Sequence, residues 1–185
     1  SQLFFASDEN KKLEDLLLIE KKIVLLAGAG EGKTEETNSI YWHFTESEKN
    51  IFPVLIRLRN YVGGQITDIF PPGWELIPSD QLFVILDGLD EIESKHFNDA
   101  TKSIESLVEK NPHSIFFITS RTNLYQTADK ELNQSGTISG FKEYYFKKIN
   151  YDEIERFADI EFGSNAQTFL EKINKRAIIE LVTIP

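Results

Sequence analysis

Residues 23–34 read IVLLAGAGEGKT. Four apolar residues give way at once to a glycine-rich turn that closes on Gly32-Lys33-Thr34. This is the order in which a buried parallel strand delivers a loop to a phosphate-bearing ligand. Glycines carry no Cβ, so successive backbone N–H groups can fold around phosphate oxygens. Lys33 then adds positive charge at the terminal phosphates, and the Thr34 hydroxyl is placed to ligate magnesium. A helix starting here points the positive end of its dipole at the same anion. The pattern G-x-x-x-x-G-K-[ST] is met at every fixed position but the first, where Ala27 stands for glycine. The backbone cradle of Gly30, Gly32 and Lys33 is expected to survive that change. The run Ala27, Gly28, Ala29, Gly30, Glu31, Gly32, Lys33, Thr34 and Glu35 is therefore the candidate phosphate-binding segment.

The flanking sequence supplies the strand and helix that such a loop requires. Residues 9–20 read as a helix with Leu13, Leu16 and Leu17 on one face, and residues 23–26 as the first strand. Beyond the turn, Thr37, Ile40, Tyr41 and Phe44 recur at helical spacing. Residues 52–58 (FPVLIRL) form a second strand, with Pro53 tolerable near its start. Arg57 and Arg59 alternate with apolar residues and read as paired surface arginines on one side of that strand's end. The turn cluster Pro71-Pro72-Gly73 precedes Trp74, a packing residue. A third strand, residues 82–86 (LFVIL), ends in Asp87-Gly88-Leu89-Asp90-Glu91. A helix with Ala100, Thr101, Ile104, Leu107 and Val108 in register follows from Phe97 and stops at Asn111-Pro112. The fourth strand, residues 115–118 (IFFI), runs into Thr119-Ser120-Arg121. Residues 122–140 are mostly polar and take no assignment, and residues 143–149 read as a fifth strand.

Apolar strands alternating with helical patterns imply right-handed crossovers and a parallel sheet covered on both faces. Ligands bind such sheets at the C-terminal ends of the strands. Chemically capable residues follow strands one, three and four, all on that edge. From Asn150 the texture becomes purely helical. Asn150 caps a helix with Glu153 at the third position, and Ile154, Phe157 and Ala158 mark its buried face. A second helix starts near Ser164, with Leu170, Ile173, Ala177, Ile178 and Leu181 as its stripe. The expected division is residues 1–149 for the sheet domain and 150–185 for the start of a helical lobe.

Composition bounds the alternatives. With 185 residues, the chain suffices for one α/β domain, or one domain and part of another. No apolar run approaches the roughly 20 residues needed to span a bilayer, and residues 1–12 lack the charged-then-apolar plan of an export signal. Absence of cysteine excludes disulfides and thiolate metal sites, and fits a reducing cytoplasm. A net charge of −10 argues against nonspecific binding to nucleic acid or anionic membrane. His43, His96 and His113 have no ligand-like spacing, so no zinc site is expected. The chain does not begin with Met and stops at Pro185 without a cap, which reads as a piece of a longer protein.

The sheet edge carries chemistry. Nucleoside triphosphate hydrolysis needs charge neutralisation and an oriented water. Asp87, ending an apolar strand, can hold magnesium directly or through a water. Asp90 and Glu91, after a tight turn, can orient or deprotonate the attacking water. Arg121, at the tip of the next strand, can reach the terminal phosphate and stabilise transition-state charge. Thr119 and Ser120 are placed to hold a water or the loop.

FVILDGLDEI followed by FFITSRTNLY resembles the NACHT family of signal-transduction ATPases, in the STAND branch of P-loop NTPases. The phosphate loop and FPVLIRLRNY fit the same family, and the resemblance covers residues 23–149, extending more weakly beyond. It implies a three-layer P-loop fold with a mostly parallel five-stranded sheet and a truncated helical lobe. It implies an adenine-nucleotide switch, closed with ADP and opened for self-association by ATP. Lys33 and Thr34 match the Walker A positions, Asp87 the metal-ligating Walker B aspartate, Asp90 and Glu91 the acidic pair linked to hydrolysis, and Arg121 the sensor arginine. Pro185, in LVTIP, matches the proline of the helical lobe that lies against adenine. The implied cofactors are ATP or ADP and magnesium, with slow or latent hydrolysis, no nucleic acid or membrane partner, and a monomeric fragment. The rivals are an AAA-type ATPase that cycles continuously and a scaffold that binds no nucleotide. A GTPase is weaker, because Asn174-Lys175-Arg176-Ala177 lacks the aspartate that reads guanine.

Overall fold

The computed structural model describes residues 12–28, 30–125, 137–145 and 151–175. Helix α1 (Leu13–Glu20) buries Leu13, Leu16 and Leu17, the i, i+3, i+4 spacing of one helical face. It stops at Lys21, whose left-handed backbone (φ 61°) returns its N–H to the Leu17 carbonyl and turns the chain into β1 (Lys22–Ala27). The strand is one residue longer at each end than its apolar run suggested. Residues 9–11 lie outside the described residues.

Helix α2 (Lys33–Glu46) buries Glu36, Thr37, Ile40 and Phe44. Strand β2 (Phe52–Arg57) follows, then β3 (Leu82–Asp87), with every residue of β3 buried. The expectation of a helix between each pair of strands fails here. Between β2 and β3 the chain makes only 3-10 turns, at Leu58–Asn60, Ile66–Ile69 and Trp74–Leu76. Glycine and proline punctuate this segment too often for an α-helix to propagate. Trp74 packs against Phe70 and the core, as its reading as a packing residue required.

Helix α3 (Ser94–Lys110) buries Ala100, Ile104, Leu107 and Val108 and is closed by Asn111, whose N–H and side-chain amide both reach the Leu107 carbonyl. It leads to β4 (Ile115–Arg121), one helical turn α4 (Thr122–Tyr125) and β5 (Lys142–Tyr145). Residues 146–149, expected to continue β5, and the expected cap Asn150 lie outside the described residues.

The five strands form one sheet in the order β2-β3-β4-β1-β5, and every neighbouring pair is parallel. Alternate side chains feed two cores. Ile23, Leu25, Phe83, Ile85 and Phe117 face α1 and α2. Val24, Leu26, Val84, Leu86 and Ile118 face α3 and the 3-10 segment. Burial on both faces explains why the inner strands read as unbroken apolar runs.

A helical pair follows, α5 (Tyr151–Phe162) and α6 (Ala166–Lys175), joined by a 3-10 turn at Gly163–Asn165. Ile154, Ala158, Ala166, Leu170 and Ile173 form a separate small core. Phe157, expected on the buried face, is 53% exposed and stands edge-on to Phe162. Ala177, Ile178, Leu181 and Pro185 lie outside the described residues. Among the described residues no helix is long and apolar enough to cross a membrane.

Candidate functional site

The site is built where β1, β3 and β4 end. Ala27 closes β1, fully buried, beside Arg121 on β4. From there Gly28 opens a turn in which the Glu31 N–H returns to the Gly28 carbonyl at 3.5 Å. Gly30 and Gly32 both adopt φ of 79°, the left-handed region that side chains other than glycine rarely tolerate. Gly32 is the N-cap of α2 and offers no side chain there, so the helix N-terminus opens onto the turn. Lys33 curls back, its Nζ donating to the Gly28 carbonyl at 3.4 Å. Glu31 also folds over the loop: the Gly28 N–H donates to its carboxylate, and a Cβ on Gly28 would meet that carboxylate at 2.8 Å. Thr34 and Glu35 are exposed on the first turn of α2. Ala29 and Pro185, named with this segment on sequence grounds, lie outside the described residues.

Asp87 is the centre of the polar network. It ends β3, is 6% exposed, and receives donors from three elements. Thr119 on β4 donates to Oδ1 at 2.7 Å, while the Gly88 N–H donates to the Thr119 hydroxyl at 2.9 Å. Thr37 on α2 shares its hydroxyl proton between Oδ1, at 3.0 Å, and the Lys33 carbonyl, at 2.8 Å. The second oxygen, Oδ2, is held by the Arg57 guanidinium, whose other arm donates to Asn38 Oδ1 on α2 at 2.7 Å.

This corrects the sequence reading of Arg57. It is not one of two surface arginines, because β2 ends there and the chain breaks into a 3-10 turn. Arg59 is left exposed while Arg57 faces its register partner Asp87. Thr34 and Asp87, named on sequence grounds as metal ligands, share no hydrogen bond. It is Thr37, one turn further along α2, that touches Asp87. The signal for Thr37 was its place on the same helical face as Thr34. None existed for Arg57 or Asn38, since only the β2–β3 register brings them in.

The turn after β3 builds the next layer. Gly88 has φ of 81°, and a Cβ there would meet the Glu91 Cδ at 2.9 Å. Asp90 is turned inward, its side chain 3% exposed. It accepts the Arg121 backbone N–H at 3.0 Å and pairs with Arg121 Nε at 2.9 Å. Asp90 therefore anchors Arg121, and Glu91 is the exposed carboxylate of the acidic turn. Glu36, which sequence reading did not single out, is buried in the first turn of α2. Burial, then the Glu14 carboxylate of α1, raises its pKa from 4.5 to about 7.

The donor set fits a magnesium nucleotide. Backbone N–H groups of a glycine turn, a lysine and a helix N-terminus suit phosphate. Magnesium is typically held by one or two carboxylates, phosphate oxygens and water rather than by a protein cage. Among the described residues no group of three or more His, Cys, Asp or Glu is placed to hold a metal.

No protein-family model and no curated protein sequence matches the chain. Solved structures do. PCH-2 of C. elegans aligns with a TM-score of 0.50 at 12% identity, covering 85% of this chain and 44% of that one. RuvB of Thermotoga maritima aligns with TM-scores of 0.44 and 0.42 in two variants, at 17% and 16% identity. It covers 81% and 80% of this chain, and 48% and 47% of those. The chain spans less than half the length of these relatives. The likeness to PCH-2 is one of fold, an α/β fold with a five-stranded parallel sheet. At these identities the likeness concerns the fold and assigns no residue a role.

Proposed function

We propose that the chain is an adenine-nucleotide-binding module of the NACHT type, an ADP/ATP-dependent switch with slow magnesium-dependent ATP hydrolysis. The observation that carries this reading is convergence. The glycine turn with Lys33, buried Asp87 and anchored Arg121 lie together on one edge of a parallel sheet, the edge at which such sheets bind ligands. Residues Ala27 to Glu35 hold the phosphates, with Lys33 as the charge and Thr34 and Asp87 as the groups that face magnesium. When bound, the metal neutralises charge between the terminal phosphates. Asp90 positions Arg121 toward the terminal phosphate, and Glu91, open to solvent, orients the attacking water. Helices α5 and α6 begin a helical lid. The module works in the cytoplasm of a sensing or defence protein whose full-length form self-associates.

AAA-type ATPases form the second reading, with which the fold likeness to PCH-2 is compatible. Mass spectrometry of nucleotide released from the purified protein separates them: retained ADP marks a switch, and an empty or ATP-turning site marks a cycling enzyme. Calorimetry with ADP, ATP and GTP tests the base. GTP binding equal to ATP would overturn the adenine assignment. Lys33→Ala is expected to weaken ADP by about a hundredfold or more, the scale of one lost charge-assisted phosphate contact. Unchanged affinity would place the nucleotide elsewhere or nowhere, leaving an interaction scaffold.

A further inference from the structure

We infer that Arg57 is a built-in counter-ion of the nucleotide site, which compensates Asp87 so fully that magnesium adds little to diphosphate binding while Arg57 is present. The inference rests on the nucleotide reading above and deepens it. An ionised carboxylate offers about four acceptor positions. On Asp87, Thr37 and Thr119 approach Oδ1 and the Arg57 guanidinium approaches Oδ2, so about one position remains. A cation taking that position would stand beside the positive charge of the guanidinium.

The placement of Arg57 is fixed by the sheet. Six successive β2–β3 pairs run from Phe52↔Leu82 to Arg57↔Asp87, so the two side chains leave adjacent strands at the same level. The second arm of the guanidinium is tied to Asn38 on α2, the helix that begins at the phosphate loop. A planar fork with two separate acceptors suits arginine and not lysine. The side chain is 26% exposed against 8% for Asp87, so the pair is shielded from water on the aspartate side and open to it on the guanidinium side.

Calorimetric titration of ADP, in excess chelator and in millimolar magnesium, tests this. Wild-type protein is expected to bind ADP with affinities within about threefold of each other in the two conditions. Arg57→Gln frees the second Asp87 oxygen and removes the positive charge beside it, and magnesium should then tighten ADP by about tenfold or more. The double variant Arg57→Gln/Asp87→Asn removes both charges and should lose that gain. Arg57→Lys keeps the charge without the fork and should fall between wild type and Arg57→Gln. If the single Gln variant fails to fold, wild type against Arg57→Lys decides by the same comparison. A wild-type protein that needs magnesium by tenfold or more, with the Arg57 variants no different, overturns the inference and leaves the nucleotide reading intact. A wild-type protein that binds ADP in neither condition overturns both.

Discussion

Glu36 is the most perturbed single residue near the site. Its carboxyl is buried in the first turn of α2 opposite Glu14, and its pKa stands at about 7 instead of 4.5. Between those two values the folded protein holds a proton that the unfolded chain has released. Its contribution to stability is therefore fully present below pH 4.5 and is lost as pH rises through about 7. A gap of this size corresponds to at most about 3 kcal/mol. Glu36→Gln keeps the shape and removes the ionisation, so it is expected to match wild type near pH 5 and exceed it by about 1–3 kcal/mol at pH 8. Urea unfolding at the two pH values measures the difference. Parallel profiles for the two proteins would show that Glu36 does not titrate between them. Sequence reading missed this residue for a physical reason. A glutamate three positions after a glycine-lysine start looks like an ordinary favourable charge at a helix N-terminus. Only the tertiary packing of the folded chain takes it out of water.

At the scale of elements, the turn after β3 performs two tasks with three residues. Gly88 takes the left-handed conformation that lets the chain double back, and the space over its Cα is filled by Glu91. Asp90 meanwhile ties the turn to β4 through Arg121. Gly88→Ala should cost about 1–2 kcal/mol of stability for its positive φ and displace Glu91 as well. If Glu91 orients the attacking water, single-turnover hydrolysis should fall about tenfold or more while ADP affinity stays within about twofold. An equal loss in both would make the turn part of the binding surface instead. The strand-end chemistry was readable because Asp87, Asp90 and Arg121 all come within four residues of apolar runs that read as buried strands. Their pairing was not readable. Which acidic residue of the turn faces inward depends on a 3-10 geometry that a sequence with two acidic neighbours leaves open. Likewise, Arg57 and Arg59 differ by one strand end, and that end is set by β2–β3 pairing rather than by any local pattern. The segment between β2 and β3 was unreadable for a related reason. Short 3-10 turns have no periodicity long enough to detect.

At the scale of the molecule, the described residues fall into cores of very different size. The sheet is buried on both faces by large sets of apolar side chains, whereas the helical pair rests on five buried residues. Ile154, Ala158, Ala166, Leu170 and Ile173 include two alanines, so this core has little apolar area with which to offset the entropy of ordering two helices. Around it, Phe157 and Ile160 are 53% and 81% exposed, so even the apolar residues available to α5 are not all drawn into it. Local stability should therefore be strongly uneven. Native-state hydrogen exchange is expected to find the slowest amides in β1, β3 and β4, opening only with the whole domain. Amides of α5 and α6 should exchange through a separate opening that costs several kcal/mol less. Leu170→Ala, which removes one of the larger members of the small core, should accelerate the α5 and α6 amides by the equivalent of about 2–4 kcal/mol. The slow β-strand amides should remain where they were. Phe117→Ala, by contrast, opens a cavity under β4 against the α1–α2 face, and should speed the slow β-strand amides by a similar amount while leaving those of α5 and α6 unchanged. Uniform acceleration by Leu170→Ala would mean that the helices and the sheet unfold as one unit. The helical pair could not then move independently of the sheet, and a switch would have to work through some other element.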